Sequence, residues 1–99
     1  MQQLSWNLPP APFLHKVSKA SHAAIGTYMQ LWNLQDNKNN VYIFRDEIRP
    51  MLFIKIPKFY NDITDLAGEG VLFWSEKKDK NRILISIELT LWGQDFDQD

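Results

Sequence analysis

The stretch "IPKFYNDITDLAGEGVLFW", residues 56–74, decides the fold. Its first part carries apolar residues at steps of three and four, which is the spacing of one face of a helix. Pro57 suits the first turn of such a helix, where its missing N–H removes no hydrogen bond. Gly68 or Gly70 then ends the helix by accepting a left-handed backbone conformation. The apolar residues at helical spacing are Phe59, Ile63, Leu66 and Ala67.

Two strand patterns follow this helix. Residues 71–76 read "VLFWSE" and residues 82–89 read "RILISIEL", and both are rich in β-branched or aromatic residues. The five polar residues between them, "KKDKN", include Asn81, which tolerates the positive φ that a hairpin loop needs. The sequence therefore predicts an antiparallel hairpin with a five-residue loop.

A short strand and a short helix precede the helix at 56. The residues "VYIF", 41–44, are too few for a helix and predict a strand. Asp46 and Glu47 suit a helix start, so a short helix is expected over about 46–53, kinked by Pro50.

The first third of the chain predicts an arm and a longer helix. Pro9, Pro10 and Pro12 disfavour a helix in the residues before them, so residues 1–17 are expected to form an extended arm. Residues 18–35 have helical spacing, with Ser18 or Ser21 available as the cap. The predicted domain spans 18–92, and residues 93–99 form an acidic frayed tail. The predicted core is Ile25, Tyr28, Leu31, Trp32, Ile48, Leu52, Phe59, Ile63, Leu66, Leu72, Ile83, Ile85 and Ile87.

Composition narrows the class of protein. The chain has 99 residues, 44% of them apolar and 13% aromatic, which is enough for one domain with a real core. The net charge of -1 provides no overall attraction to nucleic acid or to an anionic membrane, so any such attraction needs a local patch. The absence of cysteine excludes disulfides and thiol chemistry. No signal peptide or membrane-spanning run is recognisable, so a soluble, cytoplasmic protein is expected.

The order of elements resembles the winged helix-turn-helix superfamily over roughly residues 18–89. The part that carries the resemblance is "VYIFRDEIRPMLFIKIPKFYNDITDLAGEGVLFW". It implies an α+β fold, a three-helix bundle with a small antiparallel β-wing, in which the helix after the corner lies in the DNA major groove. A looser likeness links "FLHKVSKASHAAIGTYMQLW" to the winged helices of phage and plasmid replication proteins.

The resemblance also implies which residues face DNA. Two features of the presumed recognition helix depart from the superfamily's pattern: it carries Asp62 and Asp65, and it lacks the arginine that often stands at the position of Asn61. The hairpin cations would contact phosphates. The implied DNA-binding residues are Lys55, Pro57, Lys58, Tyr60 and Asn61 on the helix, and Lys77, Lys78, Lys80 and Arg82 on the hairpin.

Other chemistry has little support in the sequence. His15 and His22 are the two histidines and lack the spacing of a metal site, so neither a metal nor a cofactor is expected. No nucleophile motif such as GxSxG occurs, and no catalytic residue or enzymatic activity is predicted.

Two hypotheses follow. In the first, the chain is a transcriptional or replication regulator that binds double-stranded DNA. It is expected to be a homodimer built from the proline-rich arm, the first helix or the C-terminal "LTLWG". In the second, it is a protein-interaction module whose partner docks on the arm or a strand edge. The positions of Asp62 and Asp65 discriminate between them. If these side chains share the exposed surface with Lys58 and Asn61, the case for DNA weakens, and if they point away toward the first helix or solvent, it strengthens.

Overall fold

The structure, a computed structural model, describes residues 8–90 and is α+β, with helices packed against one face of a three-stranded antiparallel sheet. The strands run in the order β1-β3-β2, so the C-terminal strand is central. The α-helices are α1 (Ala11–Ala20), α2 (Ile25–Leu34) and α3 (Ile56–Gly68), and the strands are β1 (Asn40–Phe44), β2 (Leu72–Asp79) and β3 (Arg82–Leu89).

Helix α3 forms as its sequence predicts. Pro57 lies in the first turn, and Phe59, Ile63 and Leu66 are fully buried on one face. The helix ends where Gly70 takes a φ of 76°, a conformation that costs glycine little. The Val71 N–H then donates to the Leu66 carbonyl at 3.1 Å, which leads the chain directly into β2.

The hairpin forms, but its predicted five-residue loop is wrong. Strand pairing continues to the pair Asp79 and Arg82, which leaves a turn of only Lys80 and Asn81. The positive φ of 62° belongs to Lys80, the first turn residue. Backbone hydrogen bonds between strands do not require apolar side chains, so the ladder extends beyond the core into charged sequence.

Strand β1 pairs with β3 and is followed by the short helical segment Arg45–Leu52. This segment is a 3₁₀ turn (Arg45–Glu47) and then a π turn (Ile48–Leu52). The predicted short helix is therefore present, although not as a regular α-helix, because Pro50 has no N–H to give to an α-helical ladder. Phe53 ends it with a φ of 57°.

The predicted extended arm at 1–17 is wrong from Ala11 onward, where α1 begins. Pro12 occupies the first turn of α1, a position where proline is well tolerated, and the N–H groups of Phe13 and Leu14 donate to the Pro10 carbonyl. Residues 1–7 lie outside the described part of the chain, as do the predicted tail at 93–99 and Trp92.

The predicted helix at 18–35 is divided. Ser21 is extended, with φ of -163°, and a 3₁₀ turn (His22–Ala24) separates α1 from α2. Neither predicted cap is confirmed, because Ser21 makes no capping hydrogen bond with its side chain and Ser18 lies inside α1. The Ser18 hydroxyl is instead 3.2 Å from His22 Nδ1.

One core joins the helices to the inner face of the sheet. Most of the predicted core is buried, whereas Ile25, Trp32 and Ile83 are only partly buried. Phe13 and Val17 of α1 also belong to it, and sequence reasoning missed them because it placed both in the arm. Within residues 8–90, no helix has the length and apolar character to cross a membrane. Further core residues that the sequence did not predict are Ala24, Val41, Ile43, Val71 and Leu89.

Candidate nucleic-acid interface

The outward face of α3 is largely uncharged. Pro57, Asn61, Thr64 and Gly68 are exposed and follow one another at helical spacing, so they lie along one stripe. Asp65, one turn beyond Asn61, is exposed on the edge of the same stripe. This surface therefore offers the Asn61 amide for hydrogen bonding but carries a carboxylate beside it.

Lys58 is held by neighbouring groups. Its Nζ donates to Asp62 Oδ2 at 2.7 Å and to the Ala23 carbonyl at 3.0 Å. The Asp62 side chain is 5% exposed and also accepts a hydrogen bond of 2.6 Å from the buried Thr27 hydroxyl on α2. These contacts connect α3 to α2 and to the turn before it, so the ammonium group of Lys58 is partly committed within the fold.

The two aspartates therefore differ. Asp62 points inward toward α2, which removes its charge from the outward face of α3. Asp65 stays exposed beside Asn61. The inward position of Asp62 meets the condition for a DNA-facing helix only in part, because the same carboxylate neutralises Lys58, and exposed Asp65 does not meet it.

Tyr60 packs between α3 and the hairpin. Its ring makes edge contacts with Phe59 and Trp74, at centroid distances of 6.2 and 5.7 Å, and its hydroxyl donates to a Glu76 carboxylate oxygen. Burial first and the Glu76 contact second raise the pKa of Tyr60 to about 12. Because its hydroxyl is engaged, Tyr60 positions β2 against α3 and is not free to donate to a phosphate.

The four hairpin cations do not form one patch. Side chains alternate along β2, so Lys78 lies on the same side as Glu76, which contacts α3, and Lys77 points to the opposite side. Lys80 stands in the turn. Among residues 8–90, these three lysines make no ion pair, whereas Arg82 is bound elsewhere.

Arg82 belongs to a local ion-pair network. It donates two hydrogen bonds to Asp46, at 2.7 and 3.0 Å, and lies 3.8 Å from Glu47. Its guanidinium also stacks on the Phe44 ring, 3.7 Å from the centroid. The hydrogen bond from Arg82 holds the pKa of Asp46 below its usual range. Arg82 therefore fastens the hairpin to the segment after β1, and much of its charge is neutralised there.

A cavity of about 290 Å³ separates the hairpin turn from the start of α3. Sequence reasoning missed one of its cations, Arg45, whose guanidinium lies 5.7 Å from the Tyr60 ring centroid. Exposed Lys55 immediately precedes α3. Ile56, the first residue of α3, also lines the cavity, so the start of this helix lies beside Arg45 and Arg82. The cavity is lined by Arg45, Asp46, Ile56, Asn81, Arg82 and Ile83.

The charge of the described region differs from that of the whole chain. All 11 lysines and arginines lie between residues 8 and 90, but three of the 12 acidic residues, Asp95, Asp97 and Asp99, lie beyond it. Residues 8–90 are therefore slightly basic. The same residues contain no cluster of three or more side chains suited to holding a metal ion.

Comparison of the chain with models of known protein families, with curated proteins and with solved structures finds no match.

Proposed function

We propose that this chain is a small winged-helix DNA-binding protein that serves transcription or replication. In this proposal the hairpin turn and the start of α3 contact the backbone of double-stranded DNA, and the outward stripe of α3 faces the major groove. The observation that carries the proposal is the cavity between these two elements, with Arg45 in its lining and exposed Lys55, Lys78 and Lys80 beside its lining residues in the chain or the sheet.

Phosphate contacts supply most of the affinity under this proposal. Lys55, Lys78 and Lys80 have no ion-pair partner within residues 8–90, so neutralising phosphates would not first require breaking a salt bridge. The first turn of α3 adds partial positive charge beside the cavity through the N–H groups of Ile56 and Lys58, since Pro57 has none. Each phosphate that is neutralised steepens the salt dependence by close to one unit of logarithmic slope.

Base contacts are expected to depend on Asn61. Its amide lies at the centre of the exposed stripe and can pair with an adenine edge. Lys58 contributes less than its position suggests, because Asp62 and the Ala23 carbonyl already engage its ammonium group. Asn61→Ala is therefore expected to relax sequence preference at a cost of roughly 1–3 kcal/mol.

The experiment compares Lys78→Ala with Lys77→Ala. Both remove an exposed lysine from β2, but only Lys78 lies on the α3 side of the hairpin. Fluorescence anisotropy with a random-sequence duplex is expected to show weaker binding and a shallower salt slope for Lys78→Ala, with little change for Lys77→Ala. Equal effects, or none in either variant, would contradict the proposed orientation.

Protein interaction remains the second candidate, and the corner before α3 favours it. Phe53 is 88% exposed and holds a positive φ, a strained combination for a bulky residue. Exposed Met51 lies two residues earlier. Such strain is often retained where a side chain has a function. Two results together would support this candidate: the parent protein does not bind DNA, and the Phe53→Ala variant no longer binds a protein partner that the parent binds.

A further inference from the structure

The sheet face that points away from the helices carries exposed aromatic side chains. Tyr42 on β1 is 60% exposed and Phe73 on β2 is 59% exposed, and they stand on either side of the central strand. Ser86 and Ser75 lie between the two rings, because Tyr42 pairs with Ser86 and Ser86 pairs with Ser75. A cavity of about 250 Å³ lies over this surface. We call it the cradle, and its members are Asn40, Tyr42, Phe73, Ser75, Ser86 and Glu88.

Opposite charges stand at the two ends of the cradle. Glu88 pairs with Phe73 at one end, and Lys77 pairs with Leu84 beyond the other. Glu88 and Leu84 are four residues apart on β3, which is about 13 Å along a strand. No ion pair within residues 8–90 involves Glu88 or Lys77, and they are too far apart to neutralise each other within one copy.

We propose that the cradle is a surface through which two copies of this chain associate. The two-fold axis lies between the two sheets, parallel to both, perpendicular to the strands and above Ser86. It brings the two cradles face to face and reverses the strand direction of the second copy. Tyr42 then meets Tyr42 of the second copy. Glu88 lies opposite Leu84 of the second copy, and so is offset sideways by only one strand spacing, about 4.8 Å, from its Lys77, which lets the two side chains meet in the space of about 10 Å between the sheets. Symmetry forms this ion pair twice.

The size of the face sets the strength of the association. Three strands at about 4.8 Å spacing, over about five residues, cover a few hundred Å² of sheet, well below the ~800 Å² per partner of a typical stable interface. The dimer is therefore weak and forms at high micromolar concentration. It does not depend on DNA, and its surface differs from the arm, first helix and C-terminal segment that the sequence suggested.

Sedimentation equilibrium on the full chain, from about 10 μM to about 1 mM, tests the proposal. Glu88→Lys and Lys77→Glu should each weaken association about tenfold, because both symmetric pairs become repulsive. The double variant should recover the association of the parent, because it restores both pairs with their signs exchanged. Tyr42→Ser should weaken association, and Phe53→Ser, at an exposed apolar residue elsewhere, should not.

Two results would overturn the proposal. One is a monomer over the whole concentration range. The other is a dimer whose association does not change in the Glu88→Lys and Lys77→Glu variants, because its interface would then lie outside the cradle. A dimer of this kind that is lost on removal of residues 1–7 or 91–99 would also overturn the proposal. All four substituted side chains are exposed, so each variant is expected to fold, and circular dichroism confirms this independently.

Discussion

Replacing Asp62 by alanine tests the network that fixes α3 against α2. The change removes the acceptor of the Thr27 hydroxyl, which is 2% exposed and cannot turn to water, at a cost of about 1–3 kcal/mol. It also removes the bond from Lys58, whose side chain is 51% exposed and can be rehydrated, so this part costs only about 0–1 kcal/mol. The expected loss in the free energy of unfolding is therefore about 1–4 kcal/mol.

Urea unfolding followed by tryptophan fluorescence measures this loss, and Asp65→Ala is the matched control. Asp65 lies three residues further along the same helix but is exposed, so its replacement should change the free energy of unfolding by less than about 0.5 kcal/mol. Thr27→Val combined with Asp62→Ala should cost less than the sum of the single changes, because both remove the same hydrogen bond. Equal stability of Asp62→Ala and Asp65→Ala would refute the reasoning.

Three further predictions concern stability. The pKa of Tyr60 is raised to about 12, so its protonated hydroxyl stabilises the fold fully below pH 10 and this contribution is lost as the pH rises toward 12. In urea unfolding, Tyr60→Phe should therefore lose less stability over that interval than the parent. The lowered pKa of Asp46 acts oppositely: its contribution is present at neutral pH and is lost as the carboxylate is protonated, so Asp46→Asn should flatten the acid limb of the stability profile. Phe53→Gly should increase the free energy of unfolding by about 0.5–1 kcal/mol and so raise the thermal midpoint, because glycine takes the positive φ at 53 without the steric cost that phenylalanine has there, and this gain exceeds the entropy that glycine adds to the unfolded chain. An unchanged or lower midpoint would contradict this.

The parts of the fold that the sequence predicts are those with strong local signals. The apolar stripe predicts α3, the β-branched run predicts β3 and Gly70 predicts the turn after α3, and all three features form. The prolines at 9, 10 and 12 led to a wrong prediction of an extended arm, because proline disrupts the interior of a helix but is well tolerated in its first turn. Pro12 takes the second role, and α1 therefore adds Phe13 and Val17 to the core.

The candidate site was predicted less well, because sequence does not show which charges pair. Arg82 is 36 residues from its partner Asp46, and Lys58 is 35 residues from Ala23, whose carbonyl accepts its hydrogen bond. No local sequence pattern predicts either contact. Alternation along β2 does separate Lys77 from Lys78, but only once the end of the strand is known. The five-residue loop assumed from "KKDKN" concealed that difference.

The central proposal is DNA binding, and a titration of random-sequence duplex tests it most directly. Fluorescence anisotropy at about 50 mM and about 200 mM salt should show binding at the lower concentration that weakens steeply at the higher one, as expected for several phosphate contacts made by Lys55, Lys78 and Lys80. Absence of binding at about 50 mM salt would contradict the account and leave α3 as a core element of a protein-interaction module.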